Sequence, residues 1–255
     1  MTSETSKIAL VTGASRGLGR STALALARSG VDVVITYLNQ EDAAREVVRE
    51  VEQHGGRAAM IRLDTSDVAS FPAFVDQLRE GLAAMGARDK IDFLVNNAGV
   101  GMNSPIAETS ETMFDSLMAI HLKGVFFLTQ ALLPLVADGG RIVNLSSGLT
   151  RFALPGYGAY AMMKGGIEVF TRYLAKELGP RGIAVNTIAP GAIETDFGGG
   201  VVRDNPGLNG MIAGQTALGR VGLPEDIGPA IAALLSGDNR WINAQRIEAS
   251  GGMFI

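Results

Sequence analysis

The first predicted strand and the turn that follows it constrain the fold more than any other part of the chain. Ile8 to Val11 form a short apolar run, which is typical of a strand buried on both faces of a parallel sheet. Residues 20–29 then show helical spacing of apolar side chains, and the turn between the two elements contains Gly13, Gly17 and Gly19. A strand, a glycine turn and a helix together form a setting in which main-chain N–H groups bind phosphate. Tight turns need glycine too, so the glycines alone do not decide the function.

The rest of the chain alternates between apolar runs and amphipathic stretches. Strands are predicted at 8–11, 32–37, 58–63, 91–95, 141–145, 183–188 and 245–248. Helices are predicted at 20–29, 41–54, 71–84, 111–136, 157–178 and 224–236. This alternation predicts an α/β fold with one doubly wound parallel sheet of about seven strands and helices on both faces. Polar residues and glycines gather just after each strand, so we expect them to line one ligand crevice at the carboxyl edge of the sheet.

The composition excludes several other classes of protein. The 255 residues carry a net charge of −4 and contain no basic run, which argues against nucleic acid as a partner. The chain has no cysteine and only two histidines, so neither a disulfide framework nor a metal site is expected. The apolar runs are far shorter than the ~20 residues of a membrane helix. We therefore expect a soluble, cytoplasmic protein, with residues 1–6 as a flexible tail and residues 7–255 as one domain.

Tyr160 and Lys164 carry the clearest chemical signal. They lie four residues apart at the start of a predicted helix, and therefore on one face with their Cβ atoms ~6 Å apart. An ammonium beside a phenol favours the phenolate and lowers the tyrosine pKa, which makes the phenol usable as a general acid or base. Ser147, at the end of a predicted strand, adds a hydroxyl that could bind a substrate oxygen. Each residue also has an ordinary explanation, as a packing tyrosine, a lysine stem or a turn serine.

Five motifs in one order and spacing resemble the short-chain dehydrogenases/reductases. They are T-G-x-x-x-G-x-G at 12–19, N-N-A-G at 96–99, Ser147, Y-x-x-x-K at 160–164 and P-G at 190–191. The resemblance covers nearly the whole chain, from about residue 8 to residue 252. It implies a single-domain Rossmann fold and hydride transfer between a nicotinamide cofactor and a carbonyl or secondary alcohol. A 3-oxoacyl thioester reductase, a broader carbonyl reductase and a sugar-alcohol dehydrogenase remain open as subclasses.

The resemblance also implies a role for each matching residue. Tyr160 would be the general acid in carbonyl reduction and Ser147 would orient the carbonyl, while Lys164 would hold the nicotinamide ribose and lower the tyrosine pKa. Asp64 would accept from the adenine amino group, and Asn97 would lie near the adenosine ribose. Tyr160 and Lys164 are both expected to contact the cofactor. The other residues expected to bind it are Gly13, Ser15, Arg16, Gly17, Leu18, Gly19, Asn39, Thr65, Gly99, Pro190, Gly191, Ile193 and Thr195.

One position departs from the family pattern, because His121 stands where the family usually has asparagine. That asparagine binds a water that links the catalytic lysine to solvent. Imidazole can both donate and accept a hydrogen bond, so His121 is a candidate for the same relay. The alternative is an interior histidine whose partners satisfy it and which takes no part in the reaction.

The residues around the second strand favour NADP(H) over NAD(H). NAD-specific members place an acid at the end of that strand to bind the ribose 2′-hydroxyl, whereas this chain has Tyr37 and Leu38. Arg16 could pair with a 2′-phosphate, and Ser15 and Asn39 could add hydrogen bonds. Many NADP-preferring relatives also carry a basic residue at the Leu38 position, so the preference could be modest and NAD(H) remains possible.

Residues 192–222 correspond to the substrate lid of the family, and their glycines predict a mobile segment. Apolar candidates for the pocket wall, which favour a neutral small-molecule ketone or aldehyde, are Leu149, Phe152, Leu154, Tyr157, Phe197 and Met211. The stretches 111–136 and 157–178 resemble helices that form family interfaces, so we expect a homotetramer or homodimer. The alternative function is a catalytically silent NADP(H)-binding sensor or scaffold with the same fold, which only His121 supports.

Overall fold

The computed structural model describes residues 6–255, so the predicted tail lies outside the described residues except for Ser6. Strands β1 to β7 are Ile8–Val11, Asp32–Tyr37, Ala58–Arg62, Ile91–Asn96, Val136–Leu145, Ala184–Pro190 and Arg246–Ala249. Helices α1 to α9 are Gly17–Arg28, Glu41–Gln53, Phe71–Ala84, Glu111–Met118, Gly124–Leu132, Gly158–Leu178, Val201–Asp204, Pro206–Gly214 and Pro224–Leu235.

The seven strands form one parallel sheet in the order β3-β2-β1-β4-β5-β6-β7. The predicted fold class, a doubly wound parallel sheet, is confirmed. Chain order runs outward in one direction from β1 to β3 and in the other from β4 to β7. The crevice of such a fold opens where the direction reverses, between β1 and β4.

Apolar side chains cover both faces of the sheet. One core cluster joins the strands to α3, α5 and α6 through residues such as Leu78, Leu128 and Leu174. The other joins them to α1, α2 and α9 through residues such as Val47 and Ile231. All four residues of β1 are buried, because both faces of a central parallel strand are covered. Within residues 6–255, every helix is too short or too polar to cross a membrane.

The predicted helix over 111–136 is wrong at its C-terminal end and interrupted in its middle. The helix ends at Leu132, and Val136 already pairs with Ile91 in the sheet. Pro134 explains the end, since proline cannot donate the helical hydrogen bond and clashes with the preceding turn. In the middle, Ala119–Lys123 forms a π-helical turn. Such turns are rare and often mark functional positions.

Candidate active site

The parallel sheet brings the predicted site residues to its carboxyl edge. They follow β1 (13–19), β2 (Asn39), β3 (Asp64 and Thr65), β4 (Asn97 and Gly99), β5 (Ser147) and β6 (Gly191, Ile193 and Thr195), and Pro190 is the last residue of β6. Tyr160 and Lys164 lie near the start of α6, which follows β5 in the chain. Residues from six strands and one helix are therefore gathered at one edge of the sheet, where the ligand crevice is expected.

Helix α6 presents Tyr160 and Lys164 to the end of β5. Both residues are buried, with relative exposures of 5% each. Lys164 Nζ donates to the main-chain oxygen of Leu145 at 2.8 Å and lies 5.8 Å from the centre of the Tyr160 ring. The Ser147 side chain lies close enough to Tyr160 to lower the pKa of the phenol, and Ser147 Oγ accepts from Leu149 N–H at 3.2 Å. The phenol, the ammonium and the serine hydroxyl therefore meet in one buried region.

Burial dominates the acid–base properties of this set. Burial raises the pKa of Tyr160, and the hydrogen bond with Ser147 offsets only part of that rise. The ring of Phe197 covers the phenol, with ring centres 5.7 Å apart. Burial also lowers the pKa of Lys164 to about 8. The tyrosine pKa thus moves opposite to the expected direction, because the ammonium is engaged by Leu145 and the phenol is shielded from water.

His121 is fully buried in the π-helical turn Ala119–Lys123. Its Nε2 lies 2.8 Å from the main-chain oxygen of Val100 and 3.3 Å from the Val100 nitrogen, and the shorter contact assigns the proton to Nε2 and the acceptor role to Nδ1. Among the described residues, Nδ1 has no hydrogen-bond partner. Burial and the charge of Lys164 lower the pKa of His121 to about 3, so the ring is neutral. It also packs edge-on against Tyr160 with centres 5.1 Å apart. His121 is therefore an interior histidine with one satisfied nitrogen and one open acceptor.

The lowered pKa of His121 predicts acid sensitivity of the fold. The unfolded chain binds a proton at this histidine below about pH 6.5, whereas the folded chain does so only near the folded pKa of about 3. Stability from His121 is thus complete above pH 6.5 and falls as the pH drops toward 3. Between pH 7.5 and 5.5 we expect wild-type protein to lose about 1 kcal/mol more unfolding free energy than His121→Asn in urea titrations.

The two chains share every other titratable group, so the difference between their losses reports on His121 alone. Equal losses in the wild type and His121→Asn would show that His121 can be protonated in the folded chain.

The N-terminus of α1 has the geometry of an anion site. The helix begins at Gly17, three residues earlier than predicted, and the extended Arg16 before it does not cap the helix with its side chain. The first N–H groups of the helix are therefore available to a phosphate at the positive end of the helix dipole. Ser15 is buried in the turn, and Leu18 packs against the core. These residues fit a dinucleotide pyrophosphate.

Close packing explains two residues expected at the cofactor. Asn97 Nδ2 donates to the main-chain oxygens of residues 12–13 at 2.7 and 3.1 Å, so the amide braces the glycine turn. A Cβ at Gly19 would lie 2.5 Å from that Nδ2. A Cβ at Gly99 would lie 2.7 Å from Cε1 of His121. Glycine at these positions gives room to the Asn97 amide and to the His121 ring.

The ends of β2 and β3 form the side expected to bind adenosine. Asp64 Oδ1 accepts from Ser66 N–H at 2.9 Å and from Ser66 Oγ at 2.6 Å, which leaves Oδ2 to accept from an adenine amino group. Leu38 and Asn39 are exposed just after β2. This side of the crevice is open to solvent.

Two guanidinium groups flank the adenosine side. Arg16 Nη1 lies 3.2 Å from Asp196 Oδ2 of the lid, in an ion pair whose side chains are 59% and 42% exposed. Arg62 lies opposite Tyr37 in the sheet, and its Nε donates to the main-chain oxygen of Leu38 at 3.1 Å. Sequence reasoning missed Arg62, although the parallel alignment of β2 and β3 could have shown that it lies beside Leu38.

The start of the lid forms the side expected to bind nicotinamide. Pro190 ends β6, and the N–H of Gly191 donates to the neighbouring strand β7 at 3.1 Å. Ile193 forms a parallel bridge with Gly222, in which the residues on either side of Ile193 make the hydrogen bonds. The main-chain groups of Ile193 itself therefore face away from Gly222, toward the expected carboxamide position. Thr195 Oγ1 accepts from the N–H two residues later at 3.2 Å.

The predicted pocket wall is only partly brought together. Leu149 and Tyr157 pack in one cluster with Tyr160, beside Met102 and Phe114. Phe197 contacts the Tyr160 ring directly. Of the other three candidates, Phe152 packs against Phe254 with ring centres 4.9 Å apart, while Leu154 and Met211 are exposed by 37% and 61%.

A buried polar network supports the site from within the sheet. Asn96 Nδ2 donates to Asn144 Oδ1 at 2.8 Å and to Thr129 Oγ1 at 3.0 Å. Asn144 Nδ2 donates to Thr171 Oγ1 at 2.9 Å, and Thr187 Oγ1 continues the chain at 2.8 Å. Hydrogen-bonded partners in low dielectric fix relative positions of the elements that carry them. The network ties β4, β5 and β6 to α5 and α6 below the catalytic groups.

Comparison with known proteins agrees with this geometry. A family model described as enoyl-(acyl carrier protein) reductase matches residues 13–254. A hydroxynaphthalene reductase-like protein of Metarhizium brunneum is 36% identical over 257 residues, covering 96% of this chain and 94% of that protein. The trihydroxynaphthalene reductase of Colletotrichum orbiculare is 34% identical, covering 96% of this chain and 88% of that protein.

Solved structures give the same result. The reductase LugOII, described as catalysing keto-reduction at C1 during lugdunomycin biosynthesis, is 39% identical with a TM-score of 0.93, covering 98% of this chain and 99% of that chain. The angucycline C-6 ketoreductase LanV, solved with bound NADP, is 39% identical with a TM-score of 0.92, covering 98% and 96%. The chain therefore belongs to the short-chain dehydrogenase/reductase family, and the predicted class of nicotinamide-dependent oxidoreductase is confirmed.

Proposed function

We propose that the chain is an NADPH-preferring ketoreductase whose substrate is a neutral fused-ring ketone. The observation that carries this proposal is that Ser147, Tyr160 and Lys164 are buried close together. Apolar side chains such as Leu149 and Phe197 lie beside them. A binding protein without turnover has no need for all three groups in one place. The relatives named for hydroxynaphthalene and angucycline reduction support a fused-ring substrate.

The side chains supply position and a proton. When bound, the reduced nicotinamide supplies the hydride that reaches the carbonyl carbon. Ser147 holds the carbonyl oxygen, and Tyr160 donates its phenolic proton to that oxygen, so the ketone becomes a secondary alcohol. Lys164 is proposed to bind ribose hydroxyls with the donors that its hydrogen bond to Leu145 leaves free.

His121 is proposed to hold, through its Nδ1, the group that passes the replacement proton toward Tyr160. Its Nδ1 is an acceptor without a partner among the described residues, and Lys164 is close enough to affect its pKa. A neutral imidazole with one open acceptor can take a hydrogen bond from the lysine ammonium or from a water beside it. His121→Leu should lower kcat, and His121→Asn should restore part of it; equal rates for both variants would remove His121 from the relay.

Recognition of NADPH is proposed to use Arg16 and Arg62 together. Arg16 lies in the glycine turn, and its exposed pair with Asp196 is weak enough to exchange for a phosphate. Arg62 reaches the main-chain oxygen of Leu38 from the neighbouring strand. It therefore supplies the cation that many relatives carry at the Leu38 position itself. Asn39 and Ser15 complete the proposed 2′-phosphate site.

Arg62→Met is expected to weaken NADPH binding by roughly tenfold while leaving NADH binding nearly unchanged. A charge-assisted hydrogen bond to phosphate contributes about 1.5–3 kcal/mol, and solvent exposure reduces that value. Fluorescence titration with both cofactors measures the effect. Arg79→Met on the exposed face of α3 is the matched control. Equal weakening for NADPH and NADH would mean that Arg62 supports the adenosine side as a whole.

A spectrophotometric assay at 340 nm, the absorption band of reduced nicotinamide, tests the proposed function. Purified protein is mixed with NADPH or NADH and with tetralones, a monocyclic ketone or a 3-oxoacyl thioester. We expect faster oxidation of NADPH than of NADH, and faster turnover of the tetralones than of the other two substrates. Preference for the thioester would reject the fused-ring assignment. Tight NADPH binding without any oxidation would favour the sensor alternative.

The lid over residues 192–222 is proposed to open for substrate entry. Phe197 covers Tyr160, and Gly198, Gly199 and Gly200 follow it with φ of 62°, 78° and 78°. Only glycine adopts such angles without strain, so this run is a suitable hinge. Hydrogen exchange in the lid should slow when NADPH and product are added; no change would argue for a fixed lid.

A homotetramer or homodimer in the cytoplasm remains our proposal for assembly and location. The helices expected at the interface carry exposed aromatic side chains, with Phe126 at 43% and Tyr173 at 68%. Of the C-terminal apolar residues, Met253 is buried and Ile255 is 93% exposed. Sedimentation velocity would distinguish these assemblies from a monomer.

A further inference from the structure

Helix α6 presents a third side chain to the same strand end. Tyr160, Lys164 and Glu168 are spaced four residues apart, so they share one face of the helix. Tyr160 lies beside Ser147, and Lys164 donates to the main-chain oxygen of Leu145. The proposed reaction uses the first two side chains and leaves Glu168 without a role.

Glu168 accepts hydrogen bonds from both sides of the turn that contains Ser147. Its Oε1 accepts from Ser146 Oγ at 2.6 Å, from Thr150 Oγ1 at 2.7 Å and from Arg246 Nε at 2.7 Å. Ser146 and Thr150 lie on either side of Ser147 in the chain. The Glu168 and Arg246 side chains are only 15% and 23% exposed, so water screens these contacts little.

Arg246 holds the same turn from the other side. Its Nη2 lies 3.3 Å from the main-chain oxygen of Ser147 and 3.1 Å from Thr150 Oγ1. Its Nη1 pairs with Glu248 Oε2 at 3.0 Å, and Glu248 in turn pairs with Arg151 at 2.6 Å. The hydrogen bond from Arg151 lowers the pKa of Glu248 to about 2, so this outer carboxylate stays charged. Arg246 is thus fixed by two carboxylates and directs its remaining donors at the serine turn.

We propose that Glu168 and Arg246 are positioning residues that hold the Ser146–Thr150 turn so that the Ser147 hydroxyl stays beside Tyr160. The inference rests on the proposed function of Ser147 in carbonyl reduction. A purely structural ion pair could tie α6 to β7 without touching this turn. Here both partners also bond to atoms of the turn itself, one of them the main-chain oxygen of Ser147. A displacement of about 1 Å at such a group can slow a reaction by about a hundredfold.

A double-variant cycle with Ser147 tests the proposal. Glu168→Ala is expected to lower kcat for a ketone by about 10–100-fold, with the Kd for NADPH changed by less than about threefold. Glu168→Gln should recover part of the rate, because its amide oxygen still accepts from both hydroxyls. In a Ser147→Ala background, Glu168→Ala should lower kcat by less than about threefold, since the hydroxyl that it positions is gone. Arg246→Met should behave in the same non-additive way.

Glu177→Ala, on an exposed position of the same helix, is the matched control and should leave kcat unchanged. Equal losses from Glu168→Ala in the wild-type and Ser147→Ala backgrounds would overturn the proposal, as would an unchanged kcat in Glu168→Ala. If Glu168→Ala does not fold, the cycles with Glu168→Gln and Arg246→Met decide in the same way.

A crystal structure of Glu168→Gln or Arg246→Met gives a readout that needs no turnover. We expect Ser147 Oγ to move or to occupy more than one position, and an unmoved Oγ in both variants would overturn the positioning role. A wild-type chain that reduces no ketone would count against the proposed function, whereas the position of Ser147 would still decide the role of Glu168 and Arg246.

Discussion

Tyr160→Phe is expected to lower kcat for ketone reduction by about 10²–10⁴-fold, the contribution usual for a general acid. The substitution removes the phenolic proton and keeps the ring. Ring contacts with His121 and Phe197, at 5.1 and 5.7 Å between centres, should therefore survive. The hydroxyl makes no part of the proposed pyrophosphate or adenosine sites, so the Kd for NADPH should change by less than about threefold.

Tyr173→Phe is the matched control for that experiment. Tyr173 lies on the same helix, but its side chain is 68% exposed and lies outside the cluster around Tyr160 and the proposed proton path. We expect its kcat to stay within about threefold of the wild type. Single-turnover oxidation of NADPH at 340 nm separates the chemical step from product release. A Tyr160→Phe enzyme that keeps most of the wild-type single-turnover rate would assign the proton donor to another group.

The burial of Tyr160 affects how readily it can act as the proton donor. The raised tyrosine pKa belongs to a conformation in which Phe197 covers the ring. A phenol with a raised pKa holds its proton firmly and donates it less readily. Opening of the lid would return water to the hydroxyl and bring the pKa down again.

The sequence predicts the sheet well, because the spacing of apolar residues along a segment shows directly which of its faces are buried. β1, β2 and α3 have the predicted bounds, since each is an uninterrupted apolar or amphipathic run between turn residues. The stretch 111–136 fails for the opposite reason. Its apolar spacing continues through Pro134 into β5, so the pattern does not mark where the helix ends, and a π-helical turn has no periodic signature.

Some parts of the candidate site could likewise be predicted from the sequence and others could not. Residues at strand ends were predictable, because chain order and parallel topology place them at one edge of the sheet. Contacts between distant elements were not: Arg62 lies beside Leu38 only through strand register, and Arg246 reaches Glu168 across 78 positions of sequence. The sequence-based pKa of Tyr160 had the wrong sign because neighbour spacing on a helix shows the nearby charge and hides the burial.

Gly124→Ala is expected to destabilise the protein by roughly 3 kcal/mol or more, the upper end of the cost of overpacking. A Cβ at Gly124 would lie 1.9 Å from the main-chain oxygen of Thr65 and 2.8 Å from that of Ala119. Neither obstacle is a flexible side chain, so the new methyl group requires α5 to move away from the end of β3. In a domain of this size, such a loss corresponds to a decrease in Tm of about 6–12 °C.

Gly81→Ala in α3 is the matched control, because its Cβ would meet only side-chain atoms of Ile61 and Ala59 at 3.8 and 3.9 Å. Alanine is the better helix former, so this variant should gain about 0.5–1 kcal/mol. Urea unfolding of both variants gives the comparison. A Gly124→Ala protein as stable as the wild type would mean that α5 can shift away from Thr65 at little cost.

The same displacement should reach the cofactor site from two directions. Thr65 follows Asp64 on the proposed adenosine side, and Gly124 directly follows the π-helical turn that holds His121. Moving α5 away from Thr65 therefore disturbs Asp64 at one end and the His121 ring at the other. Gly124→Ala should weaken NADPH binding and lower kcat in protein that remains folded at low temperature. If stability falls while the Kd for NADPH and kcat both stay unchanged, the helix accommodates the methyl group without moving either Asp64 or His121.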